Sequence, residues 1–297
     1  MPQLECVPNI SEGRDLAVVD HLAAAMAAVP GVQLLDRHSD AVHHRSVFTL
    51  TGEPTPLRTA VLALVEATLP RVNLHHHHGA HPRIGAVDVV PFIPLAGATM
   101  NDAVLAARAT AAEVAAHFAI PVFLYEAAAS RSDRRALQDV RRGQFEGLAE
   151  KMRRPEWQPD YGPQAPHPTA GAVAIGARGL LVAYNINLAT DRLAVAARIA
   201  RTIRESSGGL PGVKAMALAL PDRSLVQVSM NLTDPDRTSM AVVFDTVTRE
   251  AAREGVAVFE SEVVGLVPAR ALGGATARHL RLSNFTARHV LETRLLP

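Results

Sequence analysis

The sequence predicts a mixed α/β (α+β) protein built from two similar halves. Two observations carry that prediction. Apolar residues recur in the order strand, helix, strand, strand, helix, strand, once from Leu4 onward and again from Gly179 onward. Between the two series, Ser130 to Ala170 reads as a linker, crowded first with arginine and then with proline. The bulk composition agrees: 297 residues, 48% hydrophobic and 20% charged, are enough for two domains with real cores.

In order, Leu4 to Val7 is a short apolar strand, and Asp15 is placed to cap a helix over 16–29. That helix carries Leu16, Val19, Ala23, Met26 and Val29 at helical spacing, and Pro30-Gly31 ends it. Val32 to Leu35 reads as a strand, Asp36 to Arg45 as a polar loop, and Ser46 to Thr51 as a second strand. Pro54 and Pro56 open a helix to about Leu69. Ala86 to Ile93 is a strand, Thr99 caps a helix to Phe118, and Val122 to Tyr125 is a further strand. In the second half, Gly179 to Ile186 is a strand, and Thr190 or Asp191 caps a helix to about Glu205. Val213 to Leu220 and Leu225 to Asn231 form a strand pair joined by Pro221 to Ser224. Thr238 to Arg253 is a helix and Val256 to Leu266 a strand. The repeated order is the split βαβ, ferredoxin-like arrangement. The first copy is extended by one helix and one strand, and the expected domains are residues 1–165 and 166–297.

Composition narrows the function classes. A formal net charge of +1 leaves no broad field for nucleic acid or anionic lipid, so a small-molecule partner is expected. The sole cysteine, Cys6, rules out an internal disulfide and CxxC zinc sites, and points to a reducing cytoplasm. The N-terminus lacks a signal pattern, and no apolar run reaches membrane-spanning length. Aromatic residues are only 4%, which argues against an RNA-stacking sheet. The arginines at 131–154 read as a solvated face, and no phosphate-binding GxxxxGK[ST] loop is present.

The stretch LHHHHGAHPRIGAVDVVPFIP, Leu74 to Pro94, is the most unusual. Adjacent loop histidines point in different directions, and HExxH spacing does not occur, so a metal site is disfavoured. His75 and His76 read as solvated. His81 differs: Gly79 and Gly85 allow close approach of the backbone to a ligand, and Pro82 holds His81 extended. A histidine so presented suits general acid/base work near neutral pH. Arg83 beside it can pair with a substrate carboxylate.

Eight blocks in one order carry a family resemblance: ECVPNISEGR, HHRSVFTLTG, HHGAHPRIGAVDVVPFIP, PVFLYEAA, EWQPDYGP, GARGLLVAYNINL, QVSMNLTD and VGLVPARAL. Together they resemble the formiminotransferase family, whose animal members join this domain to a cyclodeaminase. The resemblance implies transfer of the formimino group of N-formimino-L-glutamate to N5 of tetrahydrofolate, a step of histidine degradation. It implies two α/β subdomains with a folate tunnel between them, a homodimer, and tetrahydrofolate as co-substrate with no metal. The catalytic histidine of the family's G-x-H-P-R motif falls on His81 here. Arg45, Arg83 and Arg178 lie in matching blocks and become candidate anion contacts. The folate segment falls on Gly162, Pro163, Gln164, Ala165, Pro166, His167, Pro168, Thr169, Ala170 and Gly171. Asn187 is a weaker hydrogen-bonding candidate, and Asp88 a candidate orienting residue.

The sequence departs from the family pattern at Ala80, where an acidic residue is common, and at Val42 to His44. Pro166 and Ala170 stand where some relatives carry aromatics, which removes stacking surface for a flat ring. Two alternatives stay open: a formyl-group transferase using N-formylglutamate, and a non-catalytic folate- or metal-binding protein of the same fold.

Overall fold

The computed structural model describes residues 2–79, 81–95, 97–283 and 285–295. It divides into two compact units, Met1–Arg178 and Gly179–Pro297.

The first unit opens with β1 (Leu4–Cys6) and β2 (Asn9–Ile10), two pieces of one interrupted strand that share the same neighbours. α1 (Leu16–Ala27) starts where the Asp15 carboxylate accepts from the Ala17 and Val18 amides. β3 (Val32–Asp40) and β4 (Arg45–Gly52) form a hairpin, and α2 (Pro54–Thr68) follows. Asp36 to Asp40, expected as loop, continue β3 because they pair in register with Arg45 to Thr49. β5 (Val87–Pro94) then runs antiparallel to β1 and β2. Sheet order β3-β4-β1/β2-β5 is the ferredoxin-like pattern expected from the element order.

The extension is larger than one helix and one strand. α3 (Met100–Phe118), entered through a Thr99–Asp102 capping box, crosses over to β6 (Val122–Glu126). α4 (Leu137–Val140) and α5 (Gln144–Lys151) lead to β7 (Val173–Ala177), which inserts parallel between β5 and β6. This strand moves the boundary to Arg178/Gly179 from the expected 165/166. Its alternate side chains show why: Val173, Ile175 and Ala177 join the main core of the first unit.

Residues 130–160 are likewise no free linker. Val140, Leu148 and Met152 pack with Phe123, Tyr125 and Ala174 on the sheet face opposite α1–α3. Arg134 is 2% exposed, where a solvated arginine face was expected. Its guanidinium pairs with Asp160 (2.9 Å), donates to the carbonyls of Glu156 and Gln158, and lies over the Phe123 and Trp157 rings. A buried charge is tolerated only when paired and hydrogen-bonded in this way.

The second unit contains β8 (Val182–Leu188), α6 (Leu193–Ile203), β9 (Val213–Leu220), β10 (Leu225–Leu232), α7 (Met240–Arg253), β11 (Val258–Val264) and the short α8 (Leu291–Leu295). Its sheet order β11-β8-β10-β9 is fully antiparallel, the split βαβ order again. Ser239 caps α7, which starts two residues after the expected Thr238, and α6 begins after Arg192 with no side-chain cap. Tyr184, Ile186, Val228, Ile199 and Val243 form its core, separate from that of the first unit.

Replacing Arg134 with Ala leaves Asp160 as an unpaired buried carboxylate. The expected loss is about 3–5 kcal/mol, read from the urea midpoint followed by fluorescence of Trp157; a loss below about 1 kcal/mol would restore the solvated-face reading.

Candidate active site

The histidine stretch is held against the β3–β4 turn by backbone contact. A Cβ on Gly79 would sit 2.4 Å from the His43 carbonyl oxygen, and one on Gly85 would sit 2.0 Å from that of Ala172. Both glycines therefore serve close approach, but to the protein's own backbone and not to a ligand. Ala80, whose departure from the family pattern bears on this loop, lies outside the described residues.

The histidines separate by role. His76 and His78 are exposed, and His75, also exposed, reaches the Pro168 carbonyl (2.9 Å) and the edge of Phe145. His77 is buried and stacks on His44 at 4.2 Å. Its Nδ1 accepts from Arg83 Nε (3.1 Å), so its proton sits on Nε2, which donates to the His44 carbonyl (2.8 Å). Burial, foremost, lowers its affinity for a second proton. Among the described residues no group of three His, Cys, Asp or Glu side chains is placed to hold a metal ion.

Arg83 is drawn into this network. Its Nη1 donates to Gln144 (3.2 Å) and Glu146 (2.9 Å), and its Nη2 to the His77 carbonyl (3.2 Å) and Glu146 (2.7 Å). With Nε on His77, every donor of the guanidinium is used within the protein. In place of the expected substrate carboxylate, Arg83 has an internal one, and it braces the loop against α5.

Arg45 is the arginine brought to His81. Its Nη1 lies 2.6 Å from His81 Nε2. A guanidinium has donors only, so Nε2 carries the lone pair and the neutral imidazole keeps its proton on Nδ1. His81 is half-buried, and its pKa is pushed down to about 2 by desolvation, then by Arg45, Arg141 and His43. Arg45 itself falls to about 10, through burial and then Arg141.

Asp88 does not touch His81. It is 2% exposed, and its Oδ1 accepts from the amides of Ile84 (2.7 Å) and Gly85 (3.3 Å). Its Oδ2 pairs with Arg141 at 2.5 Å. Asp88 thus orients the loop's C-terminal end and Arg141. Arg141, read from sequence as one of a solvated run, is the site residue that sequence reasoning missed. No local motif marks it, because only the fold of 130–160 over β5 brings it to Asp88.

The expected folate segment lies beside the histidine loop. Residues 162–165 are exposed, while His167 and Gly171 exchange backbone bonds (2.8 and 3.0 Å) in a tight turn. The Thr169 carbonyl accepts from the Leu74 amide (2.9 Å), and the Ala170 carbonyl from Ala86 (3.0 Å). Pro166 is half-buried and Ala170 buried.

Arg178 ends the first unit and Asn187 belongs to the second. Arg178, after β7, acts on the buried Glu5, whose pKa burial pushes up to about 7 against that cation's pull. Asn187, on β8 of the second unit, donates to Glu260 (3.0 Å) and accepts from Gln227 (2.9 Å).

Two α/β units, the first bearing a cluster of partnered histidines and arginines around a neutral imidazole, have the build of an enzyme. The N-terminal subdomain of the formiminotransferase domain matches residues 3–178, and the formiminotransferase domain matches residues 183–291. The chain belongs to the formiminotransferase family. It is 45% identical to a glutamate formimidoyltransferase of Streptococcus pyogenes over 99% of this chain and 98% of that one. It is 41% identical to a glutamate formimidoyltransferase of Thermoplasma acidophilum over 99% and 98%. A formimidoyltransferase-cyclodeaminase of Sus scrofa is 41% identical over 96% of this chain, which spans 54% of that protein.

The buried Glu5 gives a pH test of the first unit. Its folded pKa lies above the usual carboxyl value, so its contribution is intact below about pH 4.5 and lost as pH rises through about 7. Glu5→Gln should leave stability unchanged at pH 4 and raise it at pH 8 by on the order of 3 kcal/mol. Urea midpoints at both pH values check this; a variant destabilised at pH 8 would show that the Glu5–Arg178 attraction outweighs burial.

Proposed function

We propose that the protein transfers the formimino group of N-formimino-L-glutamate to N5 of tetrahydrofolate, releasing L-glutamate. The observation that carries the chemistry is the neutral His81, with its Nε2 lone pair on the guanidinium side of the loop. The observation that carries the substrate is similarity over nearly the whole chain to proteins named for this reaction.

Tetrahydrofolate N5 attacks the amidine carbon and forms a C–N bond. His81 Nε2 takes the proton that N5 must lose. As the tetrahedral centre collapses, the bond from carbon to the glutamate nitrogen breaks. His81 returns its proton to that nitrogen, so glutamate leaves as a neutral amine and the imidazole ends neutral. A protonated amidine is electrophilic enough for this route without a metal.

The turn at 167–171 and the exposed 162–165 are assigned to folate contact, on the resemblance and on their place beside the histidine loop. Arg178 and Asn187 remain in the proposal as carboxylate and polar contacts, on the resemblance. The reaction is placed in the reducing cytoplasm, in keeping with a single buried thiol, and in a homodimer, as the resemblance implies.

His81→Ala should lower kcat by about 10²–10⁴ while tetrahydrofolate binding persists, and chelator-treated wild type should keep full rate. The assay follows 5-formiminotetrahydrofolate by absorbance. Wild type that turns over N-formylglutamate but not formiminoglutamate would move the reading to formyl transfer. Activity only after zinc is restored would sink the metal-free route, and binding without turnover would leave a folate-binding protein.

A further inference from the structure

The unliganded site has a charge imbalance that the acid/base role alone does not explain. Three basic side chains face His81, each from a different segment. Arg45 comes from β4, Arg141 follows α4, and His43 lies in the β3–β4 turn with its ring centroid 6.4 Å away. Among the described residues, Asp88 and Asp40 are the carboxylates that act on Arg45. Asp88, on β5, is taken by Arg141 at 2.5 Å, and Asp40, at the end of β3, by His43 at 2.8 Å. Among the described residues Arg45 has no ion-pair partner, and the Nε of Arg141 is buried without a hydrogen bond. A buried donor left unmade is costly. Arg45 meanwhile spends one N–H on His81 Nε2, the lone pair that the reaction needs free.

We propose that Arg45 and Arg141 together form the subsite for the α-carboxylate of the amino-acid substrate, and that seating this carboxylate draws Arg45 off His81 Nε2 and frees it as the base. This rests on the reading above for the identity of the substrate. The α-carboxylate is selected over the γ-carboxylate by chemistry. It hangs from the carbon bonded to the leaving nitrogen, which His81 must protonate, so it arrives within reach of whatever touches Nε2. A carboxylate matches a guanidinium fork far better than an imidazole does. Its negative charge also offsets the field of Arg45 and Arg141, so His81 regains basicity when substrate is present. An empty site then has no exposed base, and Asp88 acts as a positioning residue that holds Arg141 ready.

Imidazole nitrogen NMR on wild-type protein, titrated from pH 5 to 8, tests this directly. Alone, His81 should stay neutral throughout. With saturating L-glutamate, the product that carries the same α-carboxylate, its Nε2 resonance should shift and titrate within that range. γ-Aminobutyrate, which lacks the α-carboxylate, should produce neither change. Arg141→Gln should abolish the glutamate response and raise KM for formiminoglutamate about 10–100-fold. Arg141→Lys keeps a cation for Asp88 while losing the fork, and should fall between the two. An Nε2 signal indifferent to glutamate, an equal response to γ-aminobutyrate, or an unchanged response in folded Arg141→Lys would each overturn the proposal. Absence of transferase turnover with a normal glutamate response would instead defeat the proposed reaction and leave the subsite standing.

Discussion

The arrangement at the site depends on one buried carboxylate. Asp88 is surrounded by protein, and a buried carboxylate is costly unless it is paired with a cation and hydrogen-bonded. Two backbone amides of the loop and one guanidinium supply that. The three contacts tie together parts that sequence keeps apart: the start of β5, the end of the histidine loop, and the layer formed by 130–160. Without the carboxylate, the Ile84 and Gly85 amides and Arg141 would all compete for other acceptors. The loop that presents His81 would lose its fixed end, and Arg141 its reason to be near Arg45.

Around that anchor the protein keeps cations close together. Burial and then Arg141 depress Arg45, and the neutral imidazole of His81 is the group that yields. The same imidazole in water would be partly protonated near neutrality, with a basicity suited to proton transfer that the unrelieved cations withhold. Clustered guanidiniums thus set the protonation state, and an anionic substrate is what can relax it. Arg83 shows the contrast. Its positive charge is cancelled by Glu146 and its donors are consumed, so it contributes rigidity and no unmet demand.

The element order of both halves was legible because each strand and helix has its own periodicity and stop signals. Asp15, Thr99 and Pro54 mark helix starts by local chemistry, and the structure uses them so. His81 drew attention in the sequence because its neighbours on either side are themselves unusual. What stayed hidden is what only tertiary contact creates. β7 is a run of small residues, Val-Ala-Ile-Gly-Ala, with no alternation to announce it, since both its faces are buried. The segment 130–160 looked solvated because seven arginines are spread along it. Its burial depends on Asp160 and Asp88 meeting Arg134 and Arg141 across long separations.

The same reasoning corrects how a motif is read. In GAHPRIG the glycines, Pro82 and Arg83 seem to surround a substrate, yet Gly79, Gly85 and Arg83 all face the protein. Much of the motif therefore sustains a shape, and only part of it meets chemistry. A guanidinium that turns inward and a guanidinium that turns to the base carry the same letter in sequence. They differ in whether a carboxylate of the fold already neutralises them. Arg83 has Glu146, Arg141 has one bond to Asp88, and Arg45, among the described residues, has only an imidazole. Ranking the arginines by that unmet demand, rather than by their closeness to His81 in sequence, singles out the pair best suited to an incoming carboxylate.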